Sequence, residues 1–338
     1  MSGLPILDIS GLLQSNTGPQ EDFISRLTAT CHDPGFFYVV GHQVPADLDD
    51  AMLKVSREFF NLPDATKRSL AIENSPHFRG YTLLGDERTG GKNDWREQID
   101  FGPEETALSP DAASESWQKL RGPNQWPPVA EMQDIVTRWL AAVQPIGLTL
   151  MRALALGLGQ REDYFDNRMF PDPYTRLKLI RYPGQAPGPN RHQGLGLHHD
   201  SGLFTLILQG ETSGLEIERD GELVLVEPVP GSYVVNLGEM FQSMSNGYLR
   251  ATPHRVTSPR LGQDRLSVAC FLNPRLDAVF DPIALPAHLA ELSAGPQNPD
   301  KNDRVYRTFG DNTLKIRMRA HPDVSRRFYP GQEKSEPD

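Results

Sequence analysis

Residues 197–209 read Leu-His-His-Asp-Ser-Gly-Leu-Phe-Thr-Leu-Ile-Leu-Gln. A His-x-Asp pair here leads into a compact apolar run, LFTLIL, with the look of a buried strand. The same texture continues on both sides, from Arg176 to Asn273: LKLIRY, LEIE, LVLVE, SYVVNL, HRVTS and RLSVACFL. Each run is short, rich in β-branched or aromatic residues, and set off by turn formers. Asp220-Gly221, between LEIER and ELVLV, is a strong hairpin signal. Many short strands with close turns predict a barrel or jelly roll.

Further out the pattern changes. Leu4 to Ile9 reads as a short strand, Glu21 to Cys31 as an amphipathic helix and Phe36 to Val40 (FFYVV) as a buried strand, and Pro45 opens a helix to about Phe60. A helical period runs from Val129 to Leu158, with Pro145 inside it to kink or divide it. The region before it, 74–127, is irregular except for a strand-like piece at Gln98 to Phe101, and the tail from Pro282 reads as loops and a basic stretch, Lys315 to Arg319. The expected layout is an N-terminal region (1–125), a long helix and connection (126–170), a β core (171–280) and a C-terminal tail (281–338). The fold class is mainly β with flanking helices. A length of 338 residues fits one large core or two modest ones, and one compact unit is the preferred reading.

Composition narrows function. Net charge is −10 with scattered carboxylates, which argues against tight binding to nucleic acid or to an anionic membrane. Apolar runs such as Leu203 to Leu208 are far too short to cross a bilayer. The first residues have no basic n-region or apolar h-region, and Cys31 and Cys270 are the only cysteines. Two distant thiols make no disulfide framework, so free thiols and a cytoplasmic location are expected.

The His-x-Asp pair carries the chemistry. By composition such a pair arises about 0.7 times in this chain, and His321-Pro322-Asp323 is a second match. Strand context favours His198 and Asp200, since residues two apart on a strand share a face about 6.6 Å apart. His199 would point away, and His321 has a proline in its pair and no histidine after it. His254, opening the HRVTS run, supplies a third ligand. Two histidines and one carboxylate leave coordination positions open, as non-haem Fe(II) oxygenases require, whereas a structural zinc site wants four protein ligands. Arg265 and Ser267 share one face of RLSVACFL. An inward guanidinium needs an anion, either a ligand carboxylate or a structural Asp or Glu.

Taken in order, HHDSGLFTLILQ, VVNLGEMFQSMSNGYLRATPHRV and RLSVACFLNP resemble the isopenicillin N synthase-like family of Fe(II)/2-oxoglutarate-dependent dioxygenases. LPILDISGL, GFFYVVGHQVP, REFFNLPDATK and the RGY…WREQIDFG region extend the resemblance over nearly the whole chain. It implies a double-stranded β-helix (cupin-like jelly roll) core. It also implies iron on His198, Asp200 and His254, and the far carboxylate of 2-oxoglutarate on Arg265 and Ser267, with Tyr182 assisting. The implied reaction consumes O2 and 2-oxoglutarate, releases succinate and CO2, and oxidises an unactivated C–H bond by hydroxylation, desaturation or cyclisation. Two alternatives stay open: a family oxidase that does not use 2-oxoglutarate, with Arg265 and Ser267 gripping a substrate carboxylate, and an inactive cupin-like binding protein. Gln43 stands where the family usually has glycine, and Ile180 where plant members often have asparagine. His42 reads as structural, Asn236 and Asn246 as turn-organising. The substrate is expected to be a small molecule, amino-acid-derived or another secondary metabolite, with Arg79, Tyr81 and Phe271 as pocket candidates.

Overall fold

The FFYVV run forms a strand over its whole length, β2 (Phe36–Val40), and sits inside a sheet built from both halves of the chain. In spatial order this eight-stranded sheet runs β1 (Ile6–Asp8), β2, β12 (Tyr233–Leu237), β9 (Phe204–Gln209), β14 (Asp264–Leu272), β7 (Arg176–Pro183), β6 (Glu97–Phe101) and β3 (Gly80–Thr82). A four-stranded sheet lies against it, in the order β11 (Glu222–Val226), β10 (Leu215–Arg219), β13 (His254–Val256) and β8 (Leu195–His198). A small hairpin joins β4 (Arg88–Thr89) to β5 (Lys92–Asn93). The computed structural model describes residues 3–14, 20–109, 114–188, 191–295, 306 and 308–331.

Residue alternation on β14 and β7 explains the layering. Leu266, Val268, Cys270 and Leu272, with Leu177 and Leu179 from β7, pack into a core shared with the helices Ala46–Phe60 and Met132–Gly157. Their neighbours Ile180, Tyr182 and Ala269 face the smaller sheet, where Phe36, Ile207, Leu215, Ile217 and Val256 fill the jelly-roll interior. Each buried Leu, Ile or Phe contributes roughly 1.5–3 kcal/mol, so a slip by one residue would exchange the two faces at great cost.

Helix Met132–Gly157 is long and apolar enough to cross a membrane by length and composition, although its apolar residues form no unbroken run of that length. It packs against helices Glu21–His32 and Ala46–Phe60 and against β9 and β14, burying Trp139, Val143, Ile146, Leu150 and Leu154. Pro145 does not divide it. The hairpin at Asp220-Gly221 is formed as expected, with both residues at positive φ (53° and 79°). Gln43 also lies at φ 61°, a backbone conformation that suits the glycine usual there. Two helices, Phe309–Ala320 and Pro322–Phe328, replace the expected C-terminal loops. Their sequence signal is Thr308, whose hydroxyl accepts from Asp311 N as an N-cap, ahead of Phe309, Thr313, Leu314 and Arg317 on a buried face.

Candidate metal centre and active-site cavity

His198 is the last residue of β8, and its direct cross-strand partner on β13 is His254. The two rings stand 4.3 Å apart, centre to centre. Asp200 is not on a strand: it lies in the turn between β8 and β9, so the expected strand alternation does not bring it to His198. The turn itself does. It is clamped to the segment after β12 by Gly238 N donating to Leu203 O (2.6 Å) and Glu239 N to Asp200 O (2.7 Å). The approach is so close that a Cβ on Gly238 would sit 2.3 Å from the Gly202 carbonyl oxygen.

Asp200 Oδ1 then lies 3.8 Å from His198 Nε2 and 4.0 Å from His254 Nε2, and the three ligand atoms fall within 4.8 Å of one another. What surrounds them fixes their roles. His198 Nδ1 is 3.0 Å from Gly196 O, and His254 Nδ1 is 3.0 Å from Thr252 O. Each ring therefore donates from Nδ1 and keeps the Nε2 lone pair for the centre. Asp200 Oδ2 accepts from Thr205 Oγ1 (2.6 Å) and Asn236 Nδ2 (2.7 Å), leaving Oδ1 free. Burial, with His254 alongside, pushes the His198 imidazole down to about 3, so it is neutral and able to ligate. Burial raises the Asp200 carboxyl, but His254, His198, Asn236 and Thr205 outweigh it and hold it below the usual range. Two imidazoles and one carboxylate, all pre-oriented, fit a divalent iron with open positions.

The same cavity, about 330 Å³, is lined by Tyr182, Arg265, Ser267 and Phe271. Arg265 is 2% exposed and has no carboxylate partner among the described residues. Its Nη2 donates to Gln209 Oε1 (2.9 Å) and its Nη1 to Ser267 Oγ (3.2 Å), while Nε is unpartnered. Tyr182 is its cross-strand neighbour, with the guanidinium carbon 5.3 Å from the ring centre. A structural salt bridge is thus not what holds Arg265. Burial lowers its pKa, as an unpaired cation should show.

Other expectations sort cleanly. His199 lines the cavity but is outside the ligand group. His321 is buried 3.4 Å from Glu87 Oε1, remote from the His-Asp-His group. His42 is structural, with Nε2 3.1 Å from Gly231 O and the ring 4.5 Å from that of Tyr233. Asn246, at φ 51°, is the turn residue expected; Asn236 is not. It lies fully buried on β12, on the same face as Val234, and serves Asp200. A lone Asn inside YVVNL was the signal for that. Of the pocket candidates only Phe271 lines the cavity. Arg79 instead bonds His77 O, Tyr174 Oη and Leu120 O, and Tyr81 donates to Glu97 Oε2 (2.6 Å) on the far face of β6.

Sequence comparison now decides the family. Residues 4–129 match the family described as non-haem dioxygenase in morphine synthesis, N-terminal, and residues 174–274 match the 2OG-Fe(II) oxygenase superfamily. A homoarginine-6-hydroxylase of Arabidopsis thaliana is 32% identical over 295 residues, spanning 83% of this chain and 87% of its own. The chain belongs to the 2OG-Fe(II) oxygenase superfamily. A 2-oxoglutarate-dependent dioxygenase from a Dothideomycetidae species is 31% identical across 96% of the chain and 91% of its own length. Among solved structures, a Neurospora crassa protein in complex with alpha-KG and thymine shares the fold (TM-score 0.74, 22% identity, 94% of this chain and 96% of that one). JOX2 in complex with 2OG, Fe and JA superposes with TM-score 0.71 at 26% identity, over 94% of this chain and 85% of that one. This superfamily member is therefore an oxidoreductase with a jelly-roll core that uses Fe(II), 2-oxoglutarate and O2 to oxidise a small molecule. The alternatives of an oxidase without 2-oxoglutarate and of an inactive binding protein find no support among these relatives.

Proposed function

We propose that His198, Asp200 and His254 are the Fe(II) ligands and that Arg265, Ser267 and Tyr182 receive the far carboxylate of 2-oxoglutarate. The observation that carries this is a buried guanidinium lacking any carboxylate, in the cavity that also holds a pre-oriented His-Asp-His group. A forked pair of donors on Arg265, flanked by the Ser267 and Tyr182 hydroxyls, suits one carboxylate. Iron, when bound, supplies O2 activation and the oxidation of an unactivated C–H bond coupled to decarboxylation of 2-oxoglutarate. The chain's own residues do the rest: the Gly196 and Thr252 carbonyls hold the His198 and His254 rings with Nε2 toward the centre, Thr205 and Asn236 aim Asp200, and Arg265 fixes the cosubstrate's direction.

The segments 1–125, 171–280 and 281–338 meet at this one site, since strands before residue 102 and a helix after 308 border the same cavity as the core, while 126–170 packs behind the larger sheet. A cavity of about 330 Å³ suits a small metabolite, amino-acid-derived in keeping with the homoarginine-hydroxylase relatives, and neither nucleic acid nor membrane. Cys31 and Cys270 are both buried and unpaired, and burial pushes the Cys270 thiol up to about 12, in keeping with a reducing cytoplasm. The test is anaerobic titration of the Fe(II) protein with 2-oxoglutarate. A metal-to-ligand charge-transfer band should develop in wild type and be lost in His254→Ala. Its absence from wild type would refute the assignment.

A further inference from the structure

One pair of strands, β7 and β14, runs the length of the cavity. In register, Tyr182 faces Arg265, Ile180 faces Ser267, Lys178 faces Ala269 and Arg176 faces Phe271, and all eight line the cavity. At about 3.3 Å per residue, Arg176 lies about 20 Å along the strand from Tyr182, and Lys178 about 13 Å. The group held at Arg265 cannot also satisfy the charges at the other end.

That outer end is crowded with buried charge. Arg176, Lys178 and Arg317, with Arg79 next to Arg176, face Glu87 and Asp100, while Arg96 ties Glu87 and Asp94 to the Tyr182 side, so cations outnumber carboxylates. His321 adds no charge, since burial and Arg317 push it down to about 3. The strong contacts go to others: Arg96 pairs with Glu87, and Arg317 Nη1 lies 3.1 Å from Asp100 Oδ1 with Nη2 donating to Phe78 O. Arg176 and Lys178 are left over. Their nearest carboxylate oxygens stand at 3.5–3.9 Å, long ion pairs, and neither head group has a hydrogen bond among the described residues. The Arg176 guanidinium carbon lies 5.2 Å from the centre of the Phe271 ring, which holds its donors in place. Burial lowers both, Arg176 to about 10 and Lys178 to about 8.

We propose that the primary substrate carries a carboxylate, bound at this outer end by Arg176 and Lys178. The proposal rests on the inner end being taken by iron and 2-oxoglutarate: Fe(II), the Asp200 carboxylate, the 2-oxoglutarate dianion and Arg265 cancel in charge. The outer cluster then carries an excess of positive charge, which a substrate carboxylate reduces. A planar guanidinium beside an ammonium also matches the two oxygens of a carboxylate.

The test uses the anaerobic Fe(II)·2-oxoglutarate enzyme and calorimetry, with L-amino acids and short aliphatic and aryl monocarboxylates as probes, each paired with its primary amide. At least one acid should bind about ten- to a hundred-fold more tightly than its amide. Arg176→Gln and Lys178→Gln should remove that preference while the amide's affinity and the 2-oxoglutarate charge-transfer band persist, and Lys178→Arg should restore it. A panel in which no carboxylate binds, in which acid and amide bind alike, or in which both variants weaken acid and amide equally, overturns the proposal. Absence of the 2-oxoglutarate band from wild type would instead overturn the inner-end assignment, so the two failures are distinguishable.

Discussion

The two ends of the cavity hold charge by opposite means. At the inner end, the ligand side chains are bonded on the side away from the centre: the Nδ1 atoms to carbonyls, Asp200 Oδ2 to Thr205 and Asn236. What remains is a set of lone pairs and one guanidinium that only exogenous groups can complete. At the outer end Glu87 and Asp100 are taken up by Arg96 and Arg317, a closed set beside Arg176 and Lys178, whose head groups make no hydrogen bond among the described residues. A site that waits for its ligands loses function when a residue is removed. A network that closes on itself loses stability first.

The sharpest way to break this contrast is at the ligands. His198→Ala, Asp200→Ala or His254→Ala should abolish turnover and Fe(II) binding, measured by anaerobic titration, with little change in the unfolding midpoint. His321→Ala should leave Fe(II) binding intact. Next in size is Glu87→Ala, which leaves Arg96 without its buried partner and should cost about 3–5 kcal/mol of stability in denaturant unfolding. A loss below about 1 kcal/mol would mean the outer charges are solvated and the contrast false.

Smaller effects probe the ends separately. Arg265→Lys keeps the charge and loses the fork, so the 2-oxoglutarate requirement should rise about ten- to a hundred-fold while iron stays bound. Ser267→Ala, removing one neutral group, should cost less. Last, carboxylate binding at the outer end should depend on pH through Lys178, which faces Asp100, Glu87, Arg96 and Arg317. Its ammonium is present below about 8 and lost above, so affinity should fall as pH rises, by up to about tenfold between about pH 7 and about pH 9. Lys178→Arg should flatten that profile, and a wild-type affinity that is flat or rises with pH would count against the role of Lys178.

The same contrast separates what was legible in the sequence from what was not. The inner end is written in short range: His198 and Asp200 are two apart, Arg265 and Ser267 likewise, and strand texture surrounds both pairs. Even so, strand alternation does not join His198 to Asp200: a clamped turn rather than a pleat aims the carboxylate. The outer end is assembled from Glu87 and Arg96, from β7, and from a helix beginning at Phe309, none adjacent in sequence. Each of those charges alone looks like surface. Only the sheet, by laying Gln98 and Asp100 of β6 beside Lys178 of β7, shows that they are interior. Arg79 and Tyr81 show the converse: their place before β6 suggests the pocket, but their side chains serve the scaffold.

Alternation along β7 and β14 has a consequence for how this enzyme can change. Odd positions of β7 and even positions of β14 speak to the fold, while the residues between them speak to ligands, so two vocabularies are interleaved in one short text. A substitution at 178, 269 or 271 edits the chemistry of what is accepted and leaves the hydrophobic packing behind the sheet unread. One at 179, 268 or 270 does the reverse. A lineage could therefore exchange one substrate for another by point changes within these strands, whereas an inserted or deleted residue would garble both messages at once.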